Sequence, residues 1–177
     1  MPNTLYAPWR LDYIKKLSTG PKECFICNAA KSPEHDETNL ILTRTPHCLL
    51  MLNRYPYVNG HLLATPYRHA AMLTECTPEE RAELMELLVL GQEALQLAMN
   101  PQGYNIGLNI GRCSGAGVPG HIHAHIVPRW NGDINFITTI GNIRIIPQAI
   151  EEAYRQLKEA LTKLEIRNSK FETNSNV

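Results

Sequence analysis

From Asn39 the chain alternates short apolar runs with turn-forming residues. NLILT, HCLLML and HLLAT are rich in strand formers and are separated by RTP and NRYPYVNG, a pattern that predicts three antiparallel strands. Thr77 then precedes Pro78-Glu79-Glu80. A hydroxyl cap, a proline at the first helical position and a glutamate three residues on predict that a helix starts there. Leu84, Leu87, Leu88, Ala94, Leu95 and Ala98 recur at three- or four-residue spacing as far as Asn100-Pro101. One apolar face over about six turns, at 3.6 residues per turn, suits a helix that covers a sheet. YNIGLNI and HIHAHIVP predict two further strands, joined by the glycine-rich GRCSGAGVPG. After Pro147, Ile150, Tyr154, Leu157, Leu161 and Leu164 form a second helical stripe. The order strands, helix, strands, helix predicts an α+β domain with an antiparallel five-stranded sheet and two main helices, not a doubly wound parallel sheet.

At 177 residues the chain suits one core rather than two. Residues 1–21 mix Pro2, Pro8, Gly20 and Pro21 with Tyr6, Trp9 and Tyr13, which predicts an ordered arm that packs aromatics on a surface. Residues 22–166 are expected to form the domain and 167–177 a frayed polar tail. Lysine plus arginine equals aspartate plus glutamate at 17 each. No global field therefore recruits nucleic acid or a membrane, and any anionic ligand must be held locally. The N-terminal stretch lacks the apolar run of a secretion signal, so a soluble, cytoplasmic protein is expected. Five cysteines, an odd number with only Cys24 and Cys27 closely spaced, suit metal binding or free thiols better than disulfides.

Side chains alternate along a strand, so His121, His123 and His125 share one face and Ile122, Ala124 and Ile126 the other. Histidine is a poor core residue, and each ring needs polar partners. Two simple readings are a solvated face that happens to be rich in histidine and a structural metal site. The third is chemical: near neutral pH an imidazole can attack phosphorus, and a neighbouring imidazole can protonate the departing oxygen. The adjacent glycine-rich segment suits that reading, because backbone N–H groups there can approach phosphate oxygens.

HIHAHIVPR resembles the histidine-triad signature, and NRYPYVNGHLLATPYRH and NIGRCSGAGVPG resemble the blocks that precede it. The resemblance covers roughly residues 22 to 148. HIVPRWNGDINFITTIGNIRIIPQ, with YAPWRLDYI, looks most like the bacterial diadenosine tetraphosphate phosphorylase branch. The resemblance implies that His123 attacks the α-phosphate of a dinucleoside polyphosphate, that His125 assists at the phosphates and leaving group, and that His121 supports the strand. It implies that Asn53 contacts the ribose, that Asn109 lies near the reacting phosphate and that His61 lies near the active-site strand. Trp130 is either a core aromatic or a contact at the substrate mouth. Many hydrolases of the family carry a phosphate-contacting glutamine where this chain has Gly117. That gap would admit inorganic phosphate as co-substrate and make the enzyme a phosphorylase. Rival readings are a dinucleoside polyphosphate or phosphoramidate hydrolase and a slow nucleotide-binding module. A homodimer, with sheets joined edge to edge, is also implied.

Cys24-Phe25-Ile26-Cys27 has the spacing at which two thiolates grip one metal ion. No strand-CxxC-helix context is evident for a redox pair, and basic residues do not cluster there as in a nucleic-acid-binding zinc module. Zinc-bearing relatives complete the site with a histidine at the end of the PYRH block, here His69, and with the first triad histidine, His121. The resemblance thus implies a structural zinc on Cys24, Cys27, His69 and His121, leaving His123 free for chemistry.

Overall fold

The computed structural model describes residues 24–134, 138, 140 and 145–174. The expected aromatic arm, with Tyr6, Trp9 and Tyr13, lies outside them. Strands β1 (Ile41–Arg44), β2 (Cys48–Leu52), β3 (Leu62–Pro66), β4 (Gly103–Leu108) and β5 (Ala124–Arg129) form one sheet in the order β1-β2-β3-β5-β4. Every neighbouring pair is antiparallel. The helices are α1 (Phe25–Lys31), α2 (Pro78–Met99) and α3 (Ile150–Asn174).

Helix α2 begins as its cap predicts. Thr77 Oγ1 accepts the Glu80 N–H at 3.2 Å, and Glu80 Oε2 accepts the Thr77 N–H at 2.8 Å. These two bonds satisfy donors that the first helical turn would otherwise leave orphaned. At the other end Asn100 turns left-handed, with φ 47°, a conformation asparagine tolerates better than most residues.

The sheet has two unlike faces. Leu50, Leu62, Ala64, Ala124 and Ile126 pack in one core with Leu84, Leu87, Leu88 and Leu95 of α2 and Leu157, Leu161 and Leu164 of α3. On the opposite face Leu49, Met51 and Leu63 pack with Ala29 of α1. Cross-strand register pairs Leu63 with His125 and Leu62 with Ile126, so His125 lies on the α1 side. The period-two alternation of β5 therefore directs Ala124 and Ile126 to α2 and α3, and His125 to the opposite face.

Three boundaries differ from the pattern's prediction. Paired strand begins at Ala124, not at His121; His121 and Ile122 are held by other segments, with their N–H groups donating to Val118 O and Ala70 O. Phe25–Lys31 is a helix with Cys24 as its N-cap and Cys27 in its first turn, so the cysteine pair does open a helix. It is a short element of about two turns whose apolar stripe, Ile26 and Ala29, is too brief for periodicity to reveal. Helix α3 continues through Asn174, past the boundary expected at residue 166. No described helix is long and apolar enough to cross a membrane.

Candidate active site and metal centre

The glycine-rich segment before β5 folds back on itself. Arg112–Ser114 forms a single 3-10 turn, with Ser114 Oγ donating to Ile110 O and Gly111 O, each at 2.8 Å. Gly115 ends it in a left-handed conformation, φ 88°, where a side chain would be strained. The chain then passes so close to His69 that a Cβ on Gly120 would stand 3.1 Å from His69 Nε2.

Of the three alternating histidines, His121 and His123 are buried and His125 is partly buried, so this is no solvated face. His123 is only 5% exposed, and its Nδ1 lies 2.8 Å from His121 O. A carbonyl only accepts, so Nδ1 carries the proton and Nε2 keeps its lone pair. Burial pulls the His123 pKa below the usual imidazole value, partly opposed by that bond to the carbonyl. The ring is thus held neutral near pH 7.

His125 meets His123 edge-to-face, with ring centroids 4.9 Å apart. Its Nδ1 is 2.9 Å from His61 Nε2, and its Nε2 is 3.5 Å from Asn109 Nδ2. Burial, followed by the neighbouring His123, lowers its pKa to about 4. His61 is fully buried, and burial with His125 and His123 nearby brings it to about 3. Asn53 Nδ2 lies 3.1 Å from His61 Nδ1. The structure therefore brings Asn53, His61, Asn109, His123 and His125 into one contiguous cluster, although they come from separate segments.

Tyr57 belongs to the same cluster and was not among the candidates. Its ring lies 4.5 Å from that of His61 and stacks on His125 at 5.9 Å and 24°. Sequence offered only an aromatic in a turn, with no period to say which way it points. Gly117 sits in the loop ahead of the histidines, partly buried. Trp130 stands just past β5, also partly buried, with its backbone tied to Asp133.

A second cluster lies beside the first. One donor atom from each of Cys24, Cys27, His69 and His121 lies within 4.8 Å of the other three. Cys24 Sγ is 3.3 Å and Cys27 Sγ 3.4 Å from His121 Nδ1, and Cys27 Sγ is 3.3 Å from His69 Nδ1. Zinc bonds of about 2.3 Å to sulfur and 2.0 Å to nitrogen, arranged tetrahedrally, separate donors by roughly 3.3–3.8 Å. Two thiols and two imidazoles at these distances fit zinc. His121 Nε2 donates to Pro66 O at 2.8 Å, which leaves the Nδ1 lone pair facing the sulfurs, as a ligating histidine requires. Burial, and then the neighbouring Cys24 thiol, push the Cys27 thiol up. The four donors come from the start of α1, the segment after β3 and the segment before β5, so this geometry distinguishes a metal centre from a lone redox pair at a helix N-terminus.

Comparison with known proteins gives a consistent grouping. The HIT domain family matches residues 34–132. An AP-4-A phosphorylase of Mycobacterium tuberculosis is 36% identical over 162 residues, 86% of this chain and 81% of that protein. An asymmetrical bis(5'-nucleosyl)-tetraphosphatase of Schizosaccharomyces pombe is 30% identical over 95 residues, 54% of this chain and 52% of that protein. Among solved structures, a Zn-bound histidine triad family protein from Mycobacterium smegmatis superposes with a TM-score of 0.66 at 27% identity, covering 82% of this chain and 97% of that one.

Proposed function

This chain belongs to the HIT domain family, and within it we propose a nucleotidyltransferase that cleaves dinucleoside polyphosphates, above all diadenosine tetraphosphate, by phosphorolysis. The observation that carries the reading is the bond from His123 Nδ1–H to His121 O, which leaves a buried, neutral imidazole with its Nε2 lone pair available. Such a group needs no deprotonation before it attacks.

In the first step Nε2 of His123 bonds to the α-phosphorus as the bond to the bridging oxygen breaks, and the departing fragment leaves as ATP. Positive charge develops on the His123 ring and is met by the His121 carbonyl. On this reading His125, beside His123, and Asn109, beside His125, contact the phosphates and the leaving oxygen. In the second step an oxygen of inorganic phosphate bonds to the same phosphorus, the P–N bond breaks, and ADP is released. On this reading the missing side chain at Gly117 admits that phosphate, and the AP-4-A phosphorylase relative supports the reaction. Cys24, Cys27, His69 and His121 would hold a structural zinc ion, which supplies a cross-link and no open position for a substrate or water.

Product analysis with diadenosine tetraphosphate, with and without inorganic phosphate, tests the reaction. Phosphate-dependent formation of ATP and ADP is expected. ATP and AMP without phosphate would make the enzyme a hydrolase, the activity named for the Schizosaccharomyces pombe relative. An absence of products would favour a nucleotide-binding module.

A further inference from the structure

The tautomers of the two histidines beside the nucleophile follow from backbone groups whose polarity is fixed. The Tyr55 N–H donates to Asn53 Oδ1 at 3.0 Å, which orients the amide and turns its Nδ2 hydrogens toward His61 Nδ1, 3.1 Å away. The Tyr57 N–H donates to the same Nδ1, also at 3.1 Å. Two donors converge on that nitrogen, so it carries a lone pair, and in the neutral ring the proton sits on Nε2. His61 Nε2–H then donates to His125 Nδ1 at 2.9 Å. His125 in turn keeps its own proton on Nε2, the nitrogen facing Asn109. The Asn109 atom 3.5 Å from that nitrogen is the amide Nδ2; exchanging the nitrogen and oxygen of this planar group, which have the same shape, makes Asn109 the acceptor that this tautomer requires. The Tyr57 ring lies over both imidazoles and shelters the bond between them.

We propose that Asn53 is a positioning residue which, together with the Tyr57 N–H, locks His125 through His61 as an Nε2–H donor aimed at the leaving phosphate oxygen. His123 and His125 are thereby set in opposite tautomers. A carbonyl, His121 O, holds the proton of His123 on Nδ1 and leaves Nε2 nucleophilic. A relay that starts from an N–H does the reverse to His125 and prevents it from competing for phosphorus. Asn53 thus has work at the histidine pair apart from any contact with the ribose.

The tautomer stands independently of the reaction, whereas its catalytic consequence rests on the nucleotidyl-transfer reading above. Two-bond nitrogen–proton correlation spectra of the histidine-labelled full chain, without substrate near neutral pH, report both. The expected spectrum has His61 and His125 protonated on Nε2 and His123 on Nδ1. In Asn53→Asp a carboxylate of similar size replaces the donor, the His61 proton moves to Nδ1, and the His125 proton follows to its own Nδ1. His125 protonated on Nδ1 in the unsubstituted protein, or unmoved in Asn53→Asp, would overturn the lock.

For the reaction, diadenosine tetraphosphate is compared with the nitrophenyl ester of AMP, whose leaving group needs little help from a hydrogen-bond donor. Asn53→Asp is expected to lower kcat for the tetraphosphate at least about tenfold more than for the ester, as loss of a hydrogen bond to the charge developing on the leaving oxygen should. Equal losses on both, with the tautomers shifted, would overturn the leaving-group role. If the unsubstituted protein turned over neither substrate while the spectra were as expected, the functional reading would fail and the lock would stand.

Discussion

At the scale of single residues, the site rests on the difference between neighbouring imidazoles. His121, His123 and His125 are the same side chain at a spacing of two, yet each has different partners. His121 is oriented toward two sulfurs, His123 hangs from a carbonyl and His125 is paired with His61. Burial keeps His123, His125 and His61 uncharged, each with a lowered pKa, so the cluster presents neutral donors and acceptors. If His123 is the nucleophile, His123→Asn should lower turnover at least about 1,000-fold, because no other group can take the covalent role. Binding of a non-cleavable dinucleotide analogue, measured by calorimetry, should change little. Appreciable residual turnover would refute the role.

At the scale of elements, the two edges of the sheet are treated differently. The carbonyls of Ile41 and Leu42 in β1 receive the Tyr154 hydroxyl and the Lys158 ammonium of α3, at 3.0 and 2.9 Å. Strand β4 ends the sheet on the other side, with Ile106 44% and Leu108 37% exposed. An edge strand with apolar side chains invites pairing with another chain, and a two-fold axis there would join β4 to its copy. Light scattering should then give twice the 20.0 kDa of one chain, and Ile106→Lys should shift the population toward monomer. A mass of one chain at working concentration would reject the dimer.

At the scale of the whole molecule, the metal centre is where distant parts of the chain meet. Its four donors span Cys24 to His121, and the carbonyl of His121 also holds the His123 ring. A bound zinc ion would therefore pin α1 to the segment that leads into β5 and carries His123. Cys24→Ser should reduce zinc content and stability, while kcat of the folded fraction falls less than that of His123→Asn. Losing even about 2 kcal/mol lowers the melting temperature by roughly 4–8 °C for a chain of this length. An unchanged melting temperature together with unchanged metal content would reject the zinc proposal.

The five strands, the capped helix α2, the stripe of α3 and the α+β class were legible in the sequence, because each is a local matter of period, cap and turn. Hydrophobic alternation also placed His125 on the face opposite Ala124 and Ile126, since the period of a strand leaves no other choice; His121 and His123 precede the paired strand, and Ile122 packs in a separate cluster with Ala70 and Cys76. Where the signal was short or the partner remote, the sequence ran out. Helix α1 is too brief for a period, and the strand at His121 lacks ladder partners that only the folded sheet reveals. That Asn53, Tyr57, His61 and Asn109 close around His125, and that His69 comes to Cys27, depends on sheet register and loop path. Tautomers depend on the tertiary structure more strictly still. The side chain carries no preference strong enough to choose between its two nitrogens, and the choice is made by whichever backbone donor or acceptor the fold brings within about 3 Å.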